Sequence, residues 1–227
     1  MNHRSLARAA LAAAALAAVP FGTAQAQLRL EVTPFAAYMI DFEMESSATL
    51  TGGPDAGPGE LRREIDGGPV FGVRAEAGLT PRIGLYASAA RGETGDRQDT
   101  FRGTEDNPAL RVIGYSPQTV WMVSGGVSVQ PLSPLFRVYA GPALTRWEDP
   151  DTDESTNHLG LHGGAAISFP LTPRASLQAG VEGYLIRWDD DAIAEEFGAQ
   201  YTPAIQAEME SEASVLPLIR AGVSIRL

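Results

Sequence analysis

Three stretches of the chain share one pattern: GLTPRIGLYA at residues 78–87, QPLSPLFRVYAG at 130–141 and FPLTPRASLQAG at 169–180. Each places a Leu-Thr-Pro or Leu-Ser-Pro unit between two runs in which apolar residues alternate with small or polar ones. Proline fixes φ and has no amide hydrogen, so it interrupts strand pairing and favours a turn. The pattern therefore predicts three β-hairpins with tight turns.

The alternation with period two continues along most of the chain and predicts an all-β fold. Before the first turn, for example, Val73, Ala75 and Ala77 lie on one face of a strand, and Arg74 and Glu76 lie on the other. Eight strands are predicted, at residues 28–42, 73–79, 83–89, 121–129, 136–144, 158–169, 177–182 and 219–227.

The connections between the predicted hairpins are long and polar. They cover residues 43–60, 92–116, 148–157 and 189–214. Short turns on one side and long loops on the other, with both termini on the short-turn side, are typical of an up-and-down antiparallel barrel. Pairing of the first strand with the last would close this eight-stranded barrel and remove its open edges.

The N-terminal segment has the three parts of a secretory signal peptide. Arg4 and Arg8 precede an apolar run at residues 9–19, and Ala24 and Ala26 occupy the small-residue positions of a cleavage site. The run is shorter than the roughly 20 residues that a membrane-spanning helix needs. We therefore expect a cleaved signal peptide at residues 1–26 and a barrel domain at residues 27–227.

The composition narrows the possible functions. The chain has no cysteine, which excludes disulfides, thiolate chemistry and cysteine-ligated zinc. It has 28 acidic residues and 17 basic ones, all of the latter arginine, and a net charge of −11. A protein with this charge is not expected to bind nucleic acid, whose phosphates need a basic surface.

The two faces of the predicted strands indicate which surroundings each of them meets. One face is almost entirely aliphatic, which suits the hydrocarbon of a membrane. The other carries glycine, serine and charged residues, which suits the narrow interior of an eight-stranded barrel. Its charged residues predict an ion-pair network in the lumen, formed by Arg74, Glu76, Arg137, Glu182 and Arg220. The alternative is a soluble β-sandwich that buries the same network.

The whole segment after the signal peptide resembles the small outer-membrane β-barrel proteins of Gram-negative bacteria. The resemblance rests on the opening strand VTPFAAYMI at residues 32–40, the three turns, and the closing strand LIRAGVSIRL at residues 218–227. This group includes the transmembrane domain of outer membrane protein A and its eight-stranded, porin-family relatives. Such chains end in an aromatic residue, and Leu227 stands in that place here. The resemblance implies a monomer in the cell outer membrane, with outer-membrane lipid, lipopolysaccharide and the barrel-assembly machinery as partners.

A second repeat, RWEDP at Arg146 and RWDDD at Arg187, begins 12 to 14 residues beyond the proline of the preceding turn. At about 3.3 Å per residue in a tilted strand, it reaches the far interface of the membrane, about 30 Å away. Strict alternation directs both arginines toward lipid and Trp147 and Trp188 inward, whereas a one-residue bulge would reverse this orientation. Because guanidinium groups bind phosphates with two parallel hydrogen bonds, Arg146 and Arg187 are predicted to bind lipopolysaccharide.

The sequence predicts no catalytic residues and no metal site. His158 and His162 would lie about 13 Å apart along one strand face, too far to share a metal ion. The acidic stretch at residues 149–154 lacks the glycine of an EF-hand loop. Ser168 is six residues from His162 on an extended strand, too far for a nucleophile and its base.

The expected function is therefore that of a non-enzymatic outer-membrane barrel without cofactors. Its polar lumen is expected to be plugged and its acidic loops to face the outside, in an envelope-structural or surface-interaction role. A small channel for small or hydrophobic solutes and a lipid A-modifying enzyme are the alternatives.

Overall fold

The computed structural model describes residues 29–51, 56–104, 110–131, 133–149, 155–188, 206–211 and 213–227. The predicted signal peptide lies outside the described residues. No helix in the described part of the chain has the length and apolar character needed to cross a membrane.

The described residues form thirteen β-strands. These are β1 (Arg29–Met39), β2 (Phe42–Thr51), β3 (Gly57–Ile65), β4 (Pro69–Gly78), β5 (Ile83–Glu93), β6 (Arg97–Gly103), β7 (Leu110–Tyr115), β8 (Thr119–Val129), β9 (Phe136–Glu148), β10 (Ser155–Pro170), β11 (Ala175–Ile186), β12 (Gln206–Ser211) and β13 (Ser214–Arg226).

Eight of the strands close into a barrel in the order β1-β13-β11-β10-β9-β8-β5-β4, and β4 pairs back with β1. Every pairing is antiparallel, and the first and last strands meet with Ala36 opposite Ala221. The prediction of an eight-stranded antiparallel barrel is therefore confirmed. Closure satisfies the backbone groups that an open sheet would leave exposed to lipid.

The hydroxyl group of each Leu-Thr/Ser-Pro unit stabilises its turn. Thr80 Oγ1 accepts hydrogen bonds from the backbone amides of Arg82 and Ile83 at 3.2 and 2.9 Å. Thr172 does the same for the two residues that follow its proline, and Ser133 Oγ accepts from the amide of Leu135 at 3.1 Å. The repeated threonine or serine thus binds the amides that the proline-containing turn leaves without a ladder partner.

At the end of the barrel opposite the short turns, the other five strands form a second sheet in the order β12-β2-β3-β6-β7. The prediction of loops was therefore wrong for residues 43–51, 57–60, 97–103, 110–115 and 206–211. The physical reason is that the buried face of this sheet mixes apolar with polar residues. Leu61 and Phe101 are buried there beside Arg63 and Asp99, whose side chains form two hydrogen bonds of 2.8 and 2.7 Å.

The barrel strands follow the alternation along their length, with aliphatic side chains outside and polar ones inside. Leu159, Leu161 and Val181 are more than half exposed on the outer surface, as are Phe169 near the short turns and Phe71 near the other end. An exposed apolar band with aromatic residues toward both ends is the surface that a bilayer requires.

Candidate functional site

The middle of the lumen contains a cluster of charged side chains, the middle cluster, formed by Arg74, His162, Glu182 and Arg220. The Glu182 carboxylate binds Arg74 through two contacts of 2.7 and 2.9 Å. It also lies 2.5 Å from Arg220 Nε and 3.1 Å from His162 Nε2. All four side chains are at most 2% exposed, so these contacts are made out of bulk water.

Aromatic rings surround the middle cluster. Tyr86 Oη lies 2.6 Å from His162 Nδ1, and the Tyr184 ring lies 4.8 Å from the His162 ring. The Arg74 guanidinium carbon lies 4.2 Å from the centre of the Tyr139 ring. Because an aromatic face attracts a cation, these rings replace part of the hydration that the guanidinium loses inside the barrel.

A second group of polar side chains, the lower cluster, lies nearer the short turns and consists of the charged residues Glu31, Glu76 and Arg137 together with Ser128. Arg137 Nη1 donates to Glu31 at 2.9 Å and to Glu76 at 2.8 Å. Ser128 Oγ donates to the other oxygen of Glu76 at 2.9 Å. A pocket with a volume of about 20 Å³ opens beside these residues at the short-turn end, and it has room for about one water molecule.

The far end of the lumen is apolar and aromatic. Phe42, Trp147, Trp188 and His158 pack on one another with ring centres 4.9 to 6.5 Å apart, and we call this group the aromatic cluster. Apolar side chains of the barrel and the second sheet join it in one continuous core, among them Met39, Met44, Leu61, Phe101, Val120, Ile186 and Leu218. The lumen thus has three layers: the lower cluster, the middle cluster and an apolar layer.

The five charged residues predicted for the lumen all lie inside the barrel, in two separate groups. Arg74 and Arg220 share Glu182, whereas Arg137 binds Glu76. Glu31 was not assigned to the predicted network, although alternation places it on the same inward face.

His162 was also left out of the predicted network. Its partners, Tyr86 and Glu182, lie 76 and 20 residues away along the chain. No sequence pattern connects residues at those separations, so the contact was not predicted.

Arg146 lies on the outer side of β9, and its Nε is 2.8 Å from Glu148 Oε1. The register with β8 is continuous from Glu148 to Leu144, so no bulge interrupts the alternation there. Arg187 is exposed. Trp147 and Trp188 are 4% and 6% exposed and point inward.

The described residues hold no group of three or more His, Asp or Glu side chains arranged to bind a metal ion. The Tyr86–His162–Glu182 contacts form a hydrogen-bonded chain. Its three side chains are buried in the lumen and do not reach the lipid-facing surface.

A closed antiparallel barrel with an aliphatic outside and a charged inside is the architecture of outer-membrane β-barrel proteins. Residues 5–202 match the family described as outer membrane protein beta-barrel domain, and the chain belongs to this family. The protein is thus a small Gram-negative outer-membrane barrel, and its location is the cell outer membrane.

Several solved structures of outer-membrane proteins are similar to this chain. The outer membrane protein OprG from Pseudomonas aeruginosa is 12% identical, with 88% of this chain and 96% of that chain covered at a TM-score of 0.60. Neisserial surface protein A is 12% identical over 87% and 97% of the two chains, with a TM-score of 0.42. The outer membrane protease OmpT from Escherichia coli is 10% identical over 88% and 97%, with a TM-score of 0.40. A comparison with curated proteins found no match.

Proposed function

We propose that the protein is a non-enzymatic outer-membrane barrel with a closed lumen, and that its second sheet acts outside the cell in surface interaction or envelope structure. The observation that carries the proposal is the pair of charged clusters inside the barrel. Each cluster joins strands from different sides of the lumen. Arg74 of β4 binds Glu182 of β11, and Arg137 of β9 binds Glu31 of β1.

The layers of the lumen support closure. An eight-stranded barrel has an interior just wide enough for its own side chains. Arg74, Tyr139 and Tyr184 occupy the middle layer and are at most 2% exposed. The aromatic cluster lies above them, and Trp147 and Trp188 there are also buried. An ion would have to break contacts in more than one layer to pass.

The position of the second sheet supports a role at the cell surface. In outer-membrane barrels the short turns face the periplasm and the longer connections face outward, and this general rule supports an extracellular position for the sheet. Its outer face is charged: Arg62 forms ion pairs with Glu43 and Glu64, and the three side chains are about half exposed. The edge strand β7 adds the exposed aliphatic side chains Leu110 and Val112.

The test of closure is conductance in planar bilayers. The purified, refolded protein is added to a bilayer, with a porin under the same conditions as a positive control. We expect no large, stable current steps at any protein concentration at which the porin inserts. Stable steps that scale with the amount of folded barrel would contradict the closed lumen.

A second candidate function, the passage of small apolar solutes, is favoured by the apolar layer. Met39, Met122 and Leu216 are fully buried in the half of the lumen nearest the second sheet. Conductance does not detect uncharged solutes, so this function needs its own test. Cells that produce the protein would take up a small apolar dye faster than cells that produce an equal amount of folded Met122→Arg variant. Equal uptake would exclude this route.

The absence of enzymatic activity is part of the proposal and is supported by the position of the titratable groups. The middle cluster lies in the lumen, whereas the acyl chains of lipid A lie against the outer surface of the barrel. Mass spectrometry of lipid A from a producing strain tests this point. An unchanged acylation pattern is expected, and a changed one would assign a lipid-modifying activity instead.

A further inference from the structure

The charges of the middle cluster do not balance. It contains two guanidinium groups, Arg74 and Arg220, and one carboxylate, Glu182. Each of these side chains is at most 2% exposed. A buried charge without a partner is costly because it has lost its hydration.

The other carboxylates of the lumen are already bound. Glu31 and Glu76 both accept hydrogen bonds from Arg137, and Glu31 also lies 3.3 Å from Arg226 at the rim. His162 cannot supply negative charge in either of its protonation states. The excess positive charge of the middle cluster therefore has no counter-charge in contact with it, because the additional carboxylate of the lumen lies in the lower cluster.

The hydrogen bonds of the middle cluster indicate that its excess positive charge lies on Arg220. Arg220 approaches Glu182 through Nε, and its terminal nitrogens Nη1 and Nη2 have no acceptor among the described residues. The hydroxyl of Tyr139 is also buried and likewise has no partner in the described part of the chain. The Arg220 guanidinium carbon lies 5.5 Å from the centre of the Tyr139 ring. Two buried donor groups thus have no acceptor among the described residues, and the guanidinium of one lies over the ring that carries the hydroxyl of the other.

Two glycines and an apolar ring lie beside Arg220. Gly180 of β11 lies directly opposite Arg220, and Gly222 is the next inward residue on β13. On the other side, the Phe35 ring centre lies 5.5 Å from the guanidinium carbon. Neither the two glycines nor the phenyl ring offers a side-chain oxygen to the Arg220 guanidinium.

We propose that the lumen contains a binding site for one monovalent inorganic anion, chloride under ordinary conditions, at the terminal nitrogens of Arg220 and beside Tyr139. The anion accepts hydrogen bonds from the free guanidinium nitrogens and the tyrosine hydroxyl. Charge-assisted hydrogen bonds of this kind are stronger than neutral ones. A single negative charge balances the excess positive charge of the middle cluster, whereas a divalent anion would reverse it.

The proposal is tested by replacing chloride. The unfolding temperature of the detergent-refolded protein is followed by the heat-modifiable gel shift, in potassium chloride or potassium gluconate at equal ionic strength. We expect the wild-type unfolding temperature to rise with chloride concentration, as it does when a ligand binds only the folded state. Arg220→Gln should lose this dependence, with at least a ten-fold weaker apparent chloride affinity.

The matched control is Arg174→Gln, which removes the same charge from an exposed position in the β10–β11 turn. It should keep the chloride dependence of the wild type. An equal chloride dependence in all three proteins would assign the effect to general salt action and overturn the proposal.

A second measurement uses only the wild-type protein, so it does not depend on the folding of a variant. Crystals grown in sodium bromide should show one anomalous peak per chain within hydrogen-bonding distance of Arg220. The absence of a peak there, at full bromide exchange and with the lumen ordered, would also overturn the proposal.

Discussion

Replacement of Glu182 by glutamine is expected to destabilise the barrel severely. The carboxylate contacts Arg74, Arg220 and His162 at 2.5 to 3.1 Å, and these side chains are at most 2% exposed. Glutamine keeps the shape but removes the only negative charge of the middle cluster. Breaking a buried ion pair by removal of one partner costs about 3–5 kcal/mol, because the remaining charge stays buried without compensation. We expect a loss of this size in the free energy of unfolding.

The assay is urea unfolding of the detergent-refolded barrel, followed by tryptophan fluorescence and by the gel shift. Gluconate replaces chloride so that anion binding does not contribute. The matched control is Glu64→Gln, which breaks the exposed Arg62–Glu64 ion pair of 3.0 Å with both side chains about half exposed. Exposed pairs contribute about 0–1 kcal/mol. If the two variants lose similar free energy, the reasoning about the middle cluster is wrong.

A double variant separates charge from packing. Glu182→Gln combined with Arg220→Gln leaves one unpaired guanidinium, Arg74, instead of two. If uncompensated charge causes the loss, the double variant is more stable than Glu182→Gln alone, although it has lost more native contacts. If lost packing causes it, the double variant is less stable.

Three further predictions concern other parts of the molecule. We propose that Arg146 and Arg187 bind lipopolysaccharide phosphates. The variant with both arginines replaced by alanine should fold normally but retain less lipopolysaccharide during purification, and unchanged retention would refute this role. Gly141→Ala should cost about 1–3 kcal/mol of stability, because a methyl group there would lie 2.0 Å from the carbonyl oxygen of Gly125. Gly114→Ala is the control, since a methyl group at that position meets nothing within 4 Å among the described residues, and equal losses would contradict the steric argument. The acidic connections should bind Mg²⁺ or Ca²⁺ weakly at several sites, so a single tight site in calorimetry, or no binding at millimolar metal, would be contrary evidence.

The barrel strands could be predicted because the membrane constrains one face of each of them. Every outward position from Val73 to Ala77 must be apolar to meet hydrocarbon, and every inward position must be polar or small to fit the lumen. The pattern is local and repeats along each strand, so eight strands were found without knowledge of their partners. The turns were equally local, because Thr80 and Thr172 bind amides two and three residues away.

The second sheet has no such constraint, and its strands were not predicted. Both of its faces lie beyond the barrel, so neither needs to be uniformly apolar. Ser46 and Arg63 are buried on the same face as Leu61, which removes the simple alternation. Its pairing is also far from local: Gln206 of β12 lies opposite Thr51 of β2. Tertiary contacts, not local pattern, determine these strands.

The division of the lumen charges into two clusters could not be predicted from the alternation of the strands. Alternation identifies the residues that point inward, and the buried lumen positions hold three arginines and three glutamates, which would suggest a neutral interior. The height of each side chain depends on the register of all eight strands, and the partners lie 108 residues apart for Arg74 and Glu182 and 106 for Arg137 and Glu31. The strand register places Glu31 directly opposite Glu76, so Arg137 binds both carboxylates. Glu182 is then the carboxylate that pairs with both Arg74 and Arg220. The excess positive charge at Arg220 is therefore a consequence of strand register. The sequence alone shows equal numbers of inward arginines and glutamates, so it does not predict this local excess.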